Sequence, residues 1–238
     1  TVESIPLIAV SIMSKKIASG ADKILVDIKL GTGALIKNEK DAKRLSEIMV
    51  KIGKKYNREV RTITTNMNVP LGNNIGNSLE VIEAIDILDG KEKNYLCDLC
   101  IKLSSILVSM AKGITEEEAK NMVYSSINNK SALNKLYELI QSQHGNINSL
   151  KVSDKVIEIK SKKEGKIQNI DAYNMGIVAR DLGAGRCIKE VKIDYTVGLV
   201  LKKHIGSKVR IGDVLCELYI NDNSVYDVNF ILDSYTII

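Results

Sequence analysis

Residues 24–65 contain, in order, the apolar run ILVDIKL, a short GTGA turn, a segment in which Asp41, Ala42, Leu45, Ile48, Met49 and Ile52 recur at helical spacing, and the alternating stretch REVRTITT. An apolar run stopped by glycine reads as a buried strand, a period near 3.6 as a helix packed on one side, and alternation as a second strand. Two strands joined through a helix return to the same end of a sheet, so they lie parallel, and the crossover is right-handed. This one stretch therefore commits the chain to an α/β arrangement with at least a partly parallel sheet.

The flanking segments extend that reading. Residues 4–19 predict a helix with Leu7, Ile8, Ile12 and Ile17 as its apolar positions. After a turn around Pro70 and Gly72, the pattern predicts helices over 76–88, 94–111, 115–127 and 131–143. HGNINSLKVSDK lacks helical periodicity and reads as a connection. Beyond it, short β-rich stretches surround one helical segment over 171–182, with Gly183 placed as a C-terminal cap. That last portion reads as a separate α+β domain. In it, KKHIGSKVRIGDVL has the spacing of a turn-rich hairpin module, with Gly206 and Gly212 supplying turns and His204 on the surface.

With 238 residues and 45% apolar content, the chain can bury a sizeable core as one large domain or two smaller ones. No apolar run approaches the roughly 20 residues that cross a bilayer, so no membrane partner is expected. The start, TVESIPLIAV, has no basic region of the kind that opens a secretory signal and no initiator Met, and it reads as a chain entered midway. The net charge of +5 is spread along the sequence. A nucleic-acid-binding protein concentrates Lys and Arg on one stripe with interleaved aromatics. With no Trp and a single Phe, Phe230, the expectation is no nucleic-acid partner and a solvated basic surface. Cys97 and Cys100 form one CxxC, remote from both His144 and His204, which is not a zinc pattern. They fall inside an apolar helical run and are expected to be buried, reduced thiols, in keeping with a cytoplasmic protein.

Ser11 and Lys15 stand four residues apart, one helical turn, just before the first strand. A hydroxyl and an ammonium on one face suit a planar ring with carbonyl oxygens and an N–H edge, although an isolated Ser/Lys pair is more often two solvated positions on an amphipathic helix. The company this pair keeps is more specific. SIPLIAVSIMSKKIASGADKILVDIKLGTGALIKNEKDAKRLSEIMVKIGKKY and TTNMNVPLGNNIGNSLEVIEAIDILDGK resemble the pyrimidine-nucleoside and thymidine phosphorylases, and so do GKIQNIDAYNMGIVARDLGAGR and IDYTVGLVLKKHIGSKVRIGDVL. The similarity runs from residue 4 to about 216, with a poorly matching stretch over about 112–160.

The resemblance implies three parts: 1–20 as the tail of a helical domain carrying the base-binding helix, 21–150 as an α/β domain, and 151–238 as the C-terminal α+β domain. It implies a pentosyltransferase, catalysing reversible phosphorolysis of uridine- or thymidine-type nucleosides to free base and (deoxy)ribose 1-phosphate in cytoplasmic nucleoside salvage. Phosphate is a co-substrate and no organic cofactor is involved. Lys15 matches the family lysine that meets the departing base. Ser11 matches the serine on the base's polar edge, and Val2, Ile8 and Leu35 match the apolar pocket. The resemblance also implies a potassium ion on the main-chain oxygens of Leu71 and Asn74 and the side chain of Glu83.

Without that resemblance, Gly72 and Gly76 make turns, Asn73 or Asn77 caps the next helix, and Glu80 and Glu83 favour its first turns. GTG is neither a P-loop nor a dinucleotide fingerprint, and this loop is assigned to positioning. The family's Lys-His-Ser-Thr-Gly-Gly phosphate motif lies upstream of the matched region, and nothing equivalent occurs in these 238 residues. The expectation is a portion that is inactive alone, homodimeric when complete, and either truncated or partnered by a separate N-terminal half. Two alternatives are a non-catalytic portion that binds pyrimidine or a partner chain, and a phosphoribosyltransferase of related architecture.

Overall fold

The computed structural model describes residues 3–186 and 188–238. Val2, expected in the base pocket, and Cys187 lie outside the described residues. The chain divides into two compact units, one running up to Asn68 together with Asp98–Ser125, the other comprising Val69–Cys97 and Ser126–Ile238.

In the first unit, helix α1 (Ile5–Ala18) carries Pro6 in its first turn, where its fixed φ suits the helix and its missing N–H costs nothing. Strand β1 (Lys23–Leu30), helix α2 (Glu39–Lys55) and strand β2 (Glu59–Asn66) follow. β1 and β2 pair in parallel from Lys23 opposite Glu59 to Leu30 opposite Asn66, as the strand–helix–strand pattern requires. α2 starts where Asn38 accepts a hydrogen bond from the Asp41 amide at 2.9 Å, with Glu39 and Asp41 on the positive end of the helix dipole.

One core joins these elements: Ile5, Ala9 and Met13 of α1 pack with Ile24 and Ile28 of β1, with Ala42, Leu45 and Met49 of α2, and with Val60 of β2. The buried face of α1 is thus Ile5–Ala9–Met13, whereas Leu7 is 50% exposed and Ile8, Ile12 and Ile17 sit at the rim. Small Ala9 at the centre of this face lets α1 pack closely against α2. β1 itself is two-sided. Ile24 and Ile28 enter the core, while Lys23, Asp27 and Lys29 lie on the opposite, partly solvated face. The unit also holds most of α4 (Tyr95–Lys112) and of α5 (Glu116–Asn128). Cys97 of α4 is buried as expected, but Cys100 is exposed, because residues three apart on a helix differ by some 60° in direction.

The second unit contains β3 (Asn74–Gly76), α3 (Asn77–Leu88), α6 (Ser131–Ser142), β4 (Lys155–Lys160), β5 (Gly165–Ile170), α7 (Ala172–Ala179), β6 (Gly198–Leu201), β7 (Lys208–Val209), β8 (Val214–Ile220), α8 (Val228–Asp233) and β9 (Tyr235–Ile237). Two antiparallel sheets, ordered β3-β6-β8-β4 and β7-β5-β9, enclose a core that includes Ile159, Ile167, Met175, Leu199, Leu215, Leu218 and Ile231.

The sequence predicts a turn at β3. The segment pairs instead with β6, placing Gly76 opposite Gly198. A Cβ on Gly198 would lie 2.3 Å from the Ile75 carbonyl oxygen, and φ is +155° there and +147° at Gly76, so only glycine permits this approach. Gly76, not Asn73 or Asn77, occupies the cap position of α3, and the Asn77 amide donates to the Ala184 carbonyl at 2.9 Å. These long-range pairings draw residues 69–97 into the second unit. After α7 the backbone widens through Arg180–Ala184 and reverses at Gly183. Gly206 and Gly212 take positive φ in turns, and His204 is exposed.

Candidate functional site

Helical geometry brings Ser11 and Lys15 together on the exposed side of α1. The Lys15 Nζ donates to Ser11 Oγ at 3.3 Å. No core residue competes for either group, and Lys15 with Lys16 complements the negative end of the helix dipole. The pair offers three ammonium protons and one hydroxyl that can donate or accept, a set that suits carbonyl oxygens flanking an N–H. Of the expected apolar companions, Ile8 is half-buried against the core beside Ile5, and Leu35 is 69% exposed.

The loop between β1 and α2 is tied down from within. Gly31 N donates to Ile36 O at 3.1 Å, Thr32 N to Asn68 Oδ1 at 3.0 Å, Gly33 N to Met67 O at 2.9 Å and Ala34 N to Gly31 O at 3.1 Å. With these four amides engaged, the loop is not a nest for an anion, which agrees with a positioning role. Gly31 has φ +144°, and a Cβ there would meet Asn68 N at 2.4 Å, so the close crossing of loop and residue 68 depends on it.

The sequence reading passed over a polar cluster on the far face of β1 and β2. Lys29 Nζ lies 2.5 Å from Asp27 Oδ2 and donates to Thr65 Oγ1 at 3.0 Å, while the Thr65 hydroxyl donates to Asp27 Oδ1 at 2.6 Å. Although Cys100 is exposed, partial desolvation by its neighbours raises the pKa of its thiol, the Lys29 charge opposing that shift and Asp27 adding to it. The signal available in ILVDIKL was its alternation: charged residues at two-residue spacing in an otherwise apolar strand share one face.

In the second unit, Glu83 of α3 is 4% exposed. Its Oε1 accepts from Asn73 N at 2.7 Å and from Asn94 Nδ2 at 2.6 Å, and its Oε2 accepts from Asn74 N at 3.1 Å. No Lys or Arg among the described residues pairs with it. A Cβ on Gly72 would fall 2.3 Å from Oε2, so glycine is what admits the carboxylate to this turn.

The Asn94 side chain also accepts from Cys97 N at 3.0 Å, capping α4 while it holds Glu83, a double role that an Asn ahead of an apolar run could have signalled. Leu201 N donates to Asn73 O at 2.8 Å, so by the alternation of an antiparallel ladder the N–H and C=O of Asn74 point away from β6, toward the side where Asn74 N meets Glu83. Glu80 reaches solvent, yet desolvation raises its carboxyl pKa against the hydrogen bond from Gly76 N, and the charge of Glu83 adds to the rise. Among the described residues no three His, Cys, Asp or Glu side chains gather around a common point, so any cation here would rest on main-chain oxygens and one carboxylate.

Two structural landmarks thus fall on sequence blocks shared with one enzyme family, and comparison with known proteins agrees. Residues 166–235 match the pyrimidine nucleoside phosphorylase C-terminal domain. The pyrimidine-nucleoside phosphorylases of Staphylococcus aureus strains USA300, NCTC 8325 and COL are each 43% identical to the chain over 241 residues, covering 98% of this chain and 56% of each relative. The chain matches the C-terminal part of the pyrimidine-nucleoside phosphorylases. It spans about half the length of these relatives. Its mixed parallel and antiparallel sheets with interspersed helices are the α/β plus α+β class expected. No helix among the described residues is long and apolar enough to cross a membrane.

Proposed function

We propose that this chain supplies the pyrimidine-binding portion of a nucleoside phosphorylase, a pentosyltransferase that acts on uridine- or thymidine-type nucleosides. The observation that carries the reading is the Ser11–Lys15 pair, 3.3 Å apart and solvent-facing on α1, within a chain 43% identical to pyrimidine-nucleoside phosphorylases over 98% of its length. In the reaction an oxygen of inorganic phosphate forms a bond to C1′ of the sugar as the C1′–N1 bond breaks. The bonding electrons leave with the base and spread over its ring and carbonyl oxygens, and a proton returns to N1.

Lys15 contributes a cation whose contact strengthens as that charge develops, which lowers the barrier rather than merely holding substrate. Ser11 orients the polar edge of the ring, and Val2, Ile8 and Leu35 border it. Phosphate capture falls to groups outside this chain, so the chain is inactive alone. A homodimeric complete enzyme, a separately supplied N-terminal half and a cytoplasmic location belong to the same proposal.

A potassium ion fits the residues around Glu83. The carboxylate is buried and pairs with no cationic side chain among the described residues, its Oε2 takes a single donor among them, Asn74 N, and so keeps acceptor capacity, and the Asn74 carbonyl lies on the same side of its strand. Together with the main-chain oxygen of Leu71 these are hard oxygen donors suited to such an ion. Held by Glu83 and the main-chain oxygens of Leu71 and Asn74, such an ion would supply positive charge beside the buried carboxylate. A melting temperature that rises with KCl and not with an equal concentration of tetramethylammonium chloride supports it; identical melting in both salts counts against it.

The activity is tested by combining the chain with the phosphate-binding N-terminal region of a relative and following release of uracil or thymine from uridine or thymidine. Phosphate-dependent release supports the reading. Activity only with free base and phosphoribosyl pyrophosphate would overturn it in favour of a phosphoribosyltransferase, and binding of pyrimidine without turnover would leave a non-catalytic binding subunit.

A further inference from the structure

The charge that looks dispersed along the sequence gathers on one helix. α2 carries Lys40, Lys43, Arg44, Lys51, Lys54 and Lys55 against Glu39, Asp41 and Glu47, a net +3 of the chain's +5. At 3.6 residues per turn all six cations fall within an arc of about 120°, and they follow one another for about 23 Å along the axis. Glu39 and Asp41 project outside that arc, leaving Glu47 as its single acid. All six cations are exposed, and none makes an ion pair with another described residue. Tyr56, 59% exposed, follows directly at the helix end.

Helix stability accounts for only part of this stripe, through the opposite charges one turn apart at Glu39–Lys43, Lys43–Glu47 and Glu47–Lys51. The dipole rewards Lys54 and Lys55 in the last turn, but Lys40 stands in the first turn, where a cation is unfavourable. Lys40 with Arg44 and Lys51 with Lys55 are like charges one turn apart, each pair costing a few tenths of a kcal/mol. An anionic polymer lying along the stripe would relieve each of these repulsions. We infer that the outer face of α2 is a docking surface for the phosphodiester backbone of single-stranded nucleic acid.

The cations form two clusters, Lys40/Lys43/Arg44 and Lys51/Lys54/Lys55, separated by about 10.5 Å across Glu47, and positive charge spread along a line this long suits an extended, flexible polyanion rather than a compact anion. They are mostly Lys, the point-charge partner of phosphate. An anionic membrane is disfavoured because the apolar side of α2, through Ala42, Leu45 and Met49, is committed to the core, leaving Val50 as the exposed face's large apolar residue. The inference is independent of the nucleoside reading.

The test is fluorescence anisotropy of the full chain with a fluorescein-labelled 20-nucleotide oligouridylate. With about five phosphates neutralised, the logarithm of affinity should fall with the logarithm of salt concentration at a slope of about −3.5, about 100-fold between 50 and 200 mM KCl. The variant K43Q/R44Q/K51Q should reduce that slope by about 2 and weaken binding at least about tenfold at 50 mM. K162Q/K163Q/K208Q, which removes equal charge from the other unit, should bind as the unaltered chain does.

If the first variant shifts the thermal melt, K40Q/K55Q at the two ends of the stripe replaces it, with a slope change of about 1.4. No binding at 50 mM, equal losses from both triple variants, or binding of polyglutamate or phosphatidylserine vesicles as tight as that of the oligonucleotide would overturn the proposal.

Discussion

Replacing Glu83 by Gln probes the buried carboxylate with almost no change in volume. Oε1 receives two donors, Asn73 N and Asn94 Nδ2, and Oε2 receives one, Asn74 N. The glutamine amide does best by leaving its oxygen at the two-donor position, which turns its NH2 toward the Asn74 N–H. One charge-assisted hydrogen bond, worth about 1.5–3 kcal/mol, is then replaced by two opposed donors in a buried site, offset in part by the burial of a neutral group. The net loss is about 2 kcal/mol, and about 4 kcal/mol for Glu83→Ala, which strands all three donors. For a unit of this size that corresponds to about 6–8 °C and about 12–16 °C in Tm. Thermal circular dichroism with urea titration measures both. A Gln variant melting within about 1 °C of the unaltered chain would refute the claim that both Glu83 carboxylate oxygens are needed as acceptors for these three donors.

Gly198→Ala forces a Cβ to 2.3 Å from the Ile75 carbonyl oxygen at φ +155°, and a loss of at least about 3 kcal/mol is expected from urea titration. The Cys216 thiol is pushed up to about 12 by burial, so it should stay unreactive to a thiol-directed disulfide reagent at pH 8 and react only on unfolding, whereas exposed Cys100 reacts in the native state. Asp89 is drawn down to about 2 by hydrogen bonds from Lys130 and then Lys91. Its folded pKa lies below the unfolded value of 3.8, so its contribution is complete above about pH 4 and fades as pH falls through 2. The Asp89→Asn variant should accordingly be less stable than the unaltered chain at pH 6 and indistinguishable from it at pH 1.5, as read by urea midpoints.

Much of the first unit was legible because local rules and tertiary packing agree there. The Asn38 cap, the helical spacing of Ala42, Leu45 and Met49, and the two strands on either side fix a parallel pair whatever surrounds it. The Ser11–Lys15 contact follows from helical spacing alone. Elsewhere the outcome depends on distant partners. Asn74–Gly76 looks like a turn until Gly198 is brought opposite it, and the short α8 and β9 carry too few residues to show a period. The donors around Glu83 are two backbone amides and an asparagine eleven residues away, and no spacing rule links those to a carboxylate. The stripe on α2 is present in the sequence, but net charge summed over the whole chain concealed it.

The central claim is that the Lys15 ammonium meets the pyrimidine as negative charge builds on it. Steady-state phosphorolysis of uridine by the chain assembled with a phosphate-binding N-terminal region, with and without Lys15→Ala, tests it most directly. Loss of one such donor costs about 3 kcal/mol of transition-state stabilisation, so kcat/KM should fall about 100-fold, with most of the loss in kcat. An unchanged kcat/KM in the Lys15→Ala assembly would contradict the account.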